Sequence, residues 1–117
     1  MLYSETTDES KNRILVVDDE PLLTNIIKTR LGYLGYDVDN ARDGQEALVK
    51  LDRHVYDLML LDLVLPKVTG MEVLKKIKEG PGNENMKIIM ISEKQNEPAM
   101  LKSLRLGADD FSKNHFH

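Results

Sequence analysis

The chain has 117 residues, 41% hydrophobic and 31% charged, which bounds it to one ordinary globular domain with its own core. It contains no cysteine, which excludes disulfides, thiolate metal sites and a cysteine nucleophile and agrees with a cytoplasmic location. A formal charge of −4 argues against direct nucleic-acid binding, no apolar run approaches the ~18 residues of a membrane span, and the acidic, polar start is no signal peptide.

In chain order, residues 1–11 are polar and aperiodic and read as a frayed tail, with the domain running over 12–117. Ile14-Leu15-Val16-Val17 is short, apolar and β-branched, the pattern of a buried strand. It ends in Asp18-Asp19-Glu20-Pro21, where Pro21 suits a first helical turn capped by the acidic residue before it. Leu22, Leu23, Ile26, Ile27, Leu31 and Leu34 then recur at helical spacing, and Gly32 or Gly35 ends the helix. A second strand spans Tyr36 to Asn40. Asp43-Gly44 opens a second helix with Ala47, Leu48 and Leu51 on its inner face.

The third strand, Asp57 to Asp62, is apolar on both faces and therefore central. Pro66 and Gly70 bracket a loop. Val73, Leu74 and Ile77 mark a third helix, stopped by Gly80-Pro81-Gly82. Lys87 to Ser92 is a fourth strand, Pro98 to Leu106 a fourth helix closed by Gly107, and Asp110 to Lys113 a fifth strand. The alternation implies βαβ units, hence an α/β fold with a parallel sheet and helices on both faces.

Sites in open α/β sheets form beyond the carboxyl ends of the strands, where strand order reverses. Three strands end there in a reactive residue: the first in Asp18-Asp19, the third in Asp62, the fourth in Ser92. Singly, each has a plain structural use. The acidic pair could cap a helix, Asp62 or Ser92 a turn, and Lys113 could be a solvated lysine. Together they converge. Three carboxylates on one rim repel unless a cation intervenes, and magnesium prefers hard oxygens. With a cation in place Asp62 can attack a phosphoryl group and become an aspartyl phosphate, while Ser92 and a lysine serve the phosphoryl oxygens.

From about Lys11 to Phe116 the chain resembles the receiver domain of two-component response regulators. The matching stretches are ILVVDDEP (Ile14 to Pro21), DLMLLDLVLPKVTG (Asp57 to Gly70), IIMIS (Ile88 to Ser92) and GADDF (Gly107 to Phe111). The resemblance implies a three-layer, flavodoxin-like sheet in the order 2-1-3-4-5. It implies that Asp62 is the phosphoacceptor and that Asp19, Asp62 and the backbone carbonyl of Val64 ligate magnesium directly, with Asp18 acting mainly through water. Ser92 and Phe111 fall at the switch positions, where the hydroxyl moves to the phosphoryl group and the ring follows, repacking the surface around the fourth helix and fifth strand. The implied partners are a sensor histidine kinase or phosphotransfer protein and a downstream output domain or protein. The implied chemistry is a signalling domain's self-phosphorylation and self-dephosphorylation, not that of an enzyme.

Three departures from the family pattern carry expectations. An ungapped match places Asn114 at the family's lysine and His115 at its cis-proline, with Lys113 one residue early. Either Lys113 reaches the site through a bulge or slip, or the site lacks its lysine. Without the proline a cis bond is disfavoured. The sequence stops at His117, where the family continues into a fifth helix that covers the first helix and one sheet face. The chain is therefore expected to expose apolar surface and to associate as a dimer or swapped oligomer. Val64 and Lys94 occupy the positions two beyond Asp62 and Ser92, which tune dephosphorylation in the family. Val64 cannot orient water, so the aspartyl phosphate is expected to be long-lived.

Alternative readings remain distinguishable. An inactive receiver would be a constitutive protein-interaction module. An aspartyl-phosphate hydrolase would want a second Asp where Val64 stands, and a flavodoxin-like cofactor binder would want a phosphate loop where Asp18-Asp19-Glu20 stands.

Overall fold

A computed structural model describes residues 12–92 and 97–113. Five strands and, among the described residues, four helices alternate along the chain: β1 (Arg13–Val17), α1 (Pro21–Tyr33), β2 (Asp37–Ala41), α2 (Gly44–Arg53), β3 (Leu58–Asp62), α3 (Gly70–Glu79), β4 (Lys87–Ser92), α4 (Glu97–Leu106) and β5 (Asp110–Lys113). All pairings are parallel, in the order β2-β1-β3-β4-β5, as the strand pattern and the resemblance imply.

The two-residue period of the strands builds two cores. Leu15 and Val17 of β1, Met59 and Leu61 of β3, and Ile88 and Met90 of β4 face α2 and α3, where Ala47, Val73, Leu74 and Ile77 complete the larger core. Ile14 and Val16 face the other way, with Val38 and the α1 side chains Ile27 and Leu31. Each fully buried aliphatic side chain contributes about 1.5–3 kcal/mol. A charge in such a strand is tolerated only at its end, where Asp62 stands.

Element ends differ from the sequence reading by a residue for stated reasons. Tyr36 still donates its N–H to Leu31 of α1 (3.1 Å), and Gly35 donates to Gly32 (3.0 Å). Gly35 has φ +96°, so α1 ends in a left-handed glycine turn and β2 starts only at Asp37. The backbone of Asp57 already bonds to Arg13 and Lys87, but regular β3 pairing begins at Leu58. Helix α4 includes Glu97 ahead of Pro98. Glu20 is the N-cap of α1, the expected acidic residue before Pro21, but its side chain makes no capping bond and its carbonyl takes the Thr24 N–H at 3.0 Å.

The apolar stripe of α1 is wider than the surface it covers. Leu23 packs inward, while Leu22, Ile26 and Leu34 are exposed. Ile26 and Leu34 rim a groove of about 670 Å³ whose floor includes Leu60 of β3, Ile89 and Ile91 of β4 and Ser112 of β5. This is the face the resemblance assigns to a fifth helix.

Candidate functional site

Strand order reverses at β1, which has β2 on one side and β3 on the other. Val17 pairs with Leu61, so Asp18 follows β1 level with Asp62, the last residue of β3. Asp62 pairs with Ile91, and Ser92 follows at the end of β4. The parallel register alone therefore carries these residues to one rim.

Asp18, Asp19 and Asp62 each offer a carboxylate oxygen there, all within 4.8 Å of one another. Asp18 is only 5% exposed, and its Oδ1 accepts the Glu20 N–H at 2.8 Å, which fixes the turn into α1. Its own N–H donates to the Ala41 carbonyl at 3.0 Å, tying that turn to β2. Asp19 is exposed and Asp62 half-buried. Carboxylates this close repel strongly at the low effective dielectric of a half-buried site, and a divalent cation relieves that repulsion. The donor set is all oxygen and suits magnesium, which keeps several waters and binds through one or two carboxylates plus phosphate.

The loop from Leu63 to Thr69 supports Asp62. The Val64 N–H donates to Asp62 Oδ1 at 3.2 Å, and Leu63 N–H bonds to the Ile91 carbonyl at 2.9 Å. Gly70 N–H closes the loop onto the Leu63 carbonyl at 3.2 Å. Thr69 and Glu72 form a reciprocal capping box at the start of α3. Thr69 backbone and side-chain bonds hold the Glu72 carboxyl below its ordinary value.

Ser92 is buried at 5% exposure beside that loop. Phe111 of β5 pairs with Met90 and packs half-buried against the larger core. The β4–β5 register runs unbroken from Ile89–Asp110 to Ser92–Lys113. The α-carbon of Lys113 is thus in register with Ser92, with no bulge between Asp110 and Lys113. Asn114, His115 and Lys94 lie outside the described residues, and no cis peptide occurs among the described ones.

The sequence marks Gly44 as a helix start and Gly70 as a loop end. Both are close-approach sites. A Cβ on Gly44 would overlap the Val68 carbonyl, and one on Gly70 the Asp62 carbonyl. Their spacing from Asp62 and from the second helix was the available signal, but only the folded loop shows what they touch.

A family model described as the response regulator receiver domain matches residues 14–115. The transcriptional regulatory protein TrcR of Mycobacterium tuberculosis is 38% identical over 109 residues, which cover 93% of this chain and 42% of TrcR. The chain spans well under half the length of the curated relatives it matches. Among solved structures, the response regulator TrrA of Thermotoga maritima, determined with Mg2+ and BeF, is 36% identical at a TM-score of 0.78, covering 91% of this chain and 89% of that one. A CheY-like receiver domain protein of Methanospirillum hungatei is 34% identical at a TM-score of 0.83, covering 92% and 85%.

Proposed function

The chain belongs to the response regulator receiver family, and from that premise we propose that it takes phosphate from a histidine kinase or phosphotransfer protein onto Asp62. The observation that supports this most is the meeting of Asp18, Asp19 and Asp62 at the strand-order reversal. Asp19, Asp62 and the Val64 carbonyl would hold the magnesium, with Asp18 acting through water. The ion, when bound, neutralises charge on the transferring oxygens. A carboxylate oxygen of Asp62 attacks phosphorus and forms an O–P bond as the donor's P–N bond breaks. The leaving imidazole takes up a proton. Ser92 donates to one phosphoryl oxygen, and Lys113 is the cation available from β5.

Modification then biases a two-state surface. Ser92 moves toward the new charge, the Phe111 ring follows, and the surface around α4 and β5 repacks. A downstream domain or protein reads that surface. Relatives named as transcriptional regulators suggest that any action on DNA runs through a separate domain, consistent with a net charge of −4. No helix among the described residues is long and apolar enough to cross a membrane, and a cytoplasmic location is part of the proposal. So is association through the α1 groove, which rests on exposure of that face alone. Sedimentation that shows a monomer at every concentration overturns it.

A second reading, an inactive receiver acting as a constitutive interaction module, is favoured by Asn114 at the family's lysine position. Beryllofluoride with Mg2+ separates the two. The active receiver binds it and shifts the amide signals of Ser92 and Phe111; unchanged signals favour the inactive one.

A further inference from the structure

Lys67 follows Pro66 in the loop behind Asp62 and has a left-handed backbone, φ 67°. Among the described residues it is the one non-glycine with positive φ. Glycine suits that conformation better than any residue with a Cβ. Its ammonium lies 3.6 Å from Asp43 Oδ2. Asp43 is the N-cap of α2, and its Oδ1 accepts the Glu46 N–H at 2.8 Å. The two oxygens of one carboxylate thus have separate tasks, one for the helix and one for the loop. The Glu46 N–H bond chiefly, with the Lys67 ammonium adding to it, holds the Asp43 carboxyl below its ordinary value.

The next residues along each segment also meet. Gly44 lies so close to the Val68 carbonyl that a Cβ would overlap it. Lys67–Asp43 and Val68–Gly44 fasten the loop to the start of α2 at two successive positions. The same loop begins at Asp62 and contains Val64, whose N–H holds Asp62 Oδ1. With the Lys67 ammonium open to solvent and Asp43 half-buried, the pair is screened on its lysine side and adds little to global stability, so stability does not explain a lysine where glycine would suit the backbone.

We infer that the Lys67–Asp43 pair is a latch that fixes the β3–α3 loop on α2 and so sets the placement of Asp62 and the Val64 carbonyl for cation binding. Lys67 and Asp43 are positioning residues, and their effect on the cation rests on the reading of Asp62 as phosphoacceptor. The loop placement itself does not.

The test compares Lys67→Met, Asp43→Asn, their double variant and Lys67→Arg with the unaltered chain. Asparagine still caps a helix, so Asp43→Asn removes the latch and spares α2. Two quantities are read: amide exchange of Gly70 without metal, and the Kd for Mg2+ alone. Each single change is expected to speed Gly70 exchange and to weaken Mg2+ binding by about two- to fivefold, the range a solvent-screened pair can supply. The double variant should be no weaker than either single one, and Lys67→Arg should retain both properties. The β4 amides should exchange as before. Unchanged Gly70 exchange in folded Lys67→Met overturns the latch, as do additive losses in the double variant. An unaltered chain that binds no Mg2+ overturns the phosphoacceptor reading instead, and Gly70 exchange then decides the latch by itself.

Discussion

The α-carbon of Gly70 lies against the backbone carbonyl of Asp62, with no room between them for a methyl group. The first residue of α3 is thereby packed onto the last residue of β3. Alanine is otherwise the better helix former, so propensity favours substitution and the overlap opposes it. Overlap with backbone is the stronger effect, because neither element can move without disturbing its own hydrogen bonds. Gly70→Ala is expected to lose about 1–3 kcal/mol in denaturant unfolding and to slow phosphorylation of Asp62. A variant as stable as the parent would show that the loop yields freely.

Tyr56 ties the opposite end of the sheet together. Its ring is buried, and its hydroxyl donates to Asp39 Oδ2 on β2 at 2.6 Å. Burial first, then the bond to Asp39, raise the hydroxyl far above its ordinary value of 10.0. Below that pH both folded and unfolded chains keep the proton, and the bond's contribution is complete. Above it the unfolded chain ionises first, so stability falls as pH rises. Tyr56→Phe should cost roughly 1.5–3 kcal/mol at neutral pH, with the gap to the parent narrowing above about pH 10. A gap that is constant to high pH would contradict this.

The lysine of the site is tested from β5. The α-carbon of Lys113 is in register with Ser92, one residue ahead of the family's position at Asn114. Restoring the pattern with Asn114→Lys should raise the yield of acyl phosphate from a small donor. Lys113→Ala in the parent should lower it. No change in either variant would remove lysine from the account of this site.

The Val64 side chain is expected to set the lifetime of the phosphorylated chain. It is 73% exposed, next but one to Asp62, and its side chain has no group to orient an attacking water. Phosphate on Asp62 should therefore persist after the donor is removed, and Val64→Gln should shorten its half-life. Rapid loss from the parent chain would refute this.

Much of the molecule was legible from two periodicities. Leu15 and Val17 against Ile14 and Val16 give the two faces of β1, and the apolar run before Asp62 marks the central strand. The acidic rim was legible because parallel strands end at one edge, so Asp18, Asp19 and Asp62 meet by topology. Contacts between loops were not legible. The Lys67–Asp43 pair joins segments 24 positions apart, and no local pattern announces a left-handed lysine. The Tyr56–Asp39 bond was hidden for the same reason, since a tyrosine before a strand reads only as an apolar residue. Exposure of Leu22 on α1 and of Leu34 at its carboxyl end was also invisible to helical spacing, which marks an apolar stripe but not how much of it is covered.

The central claim is that Asp62 accepts the phosphoryl group. Its most direct test is incubation with a small phosphodonor and Mg2+, followed by intact mass of the chain and of Asp62→Asn. The account predicts one added phosphoryl group on the parent, dependent on Mg2+, and none on Asp62→Asn. Equal addition to both chains, or none to either, would contradict it.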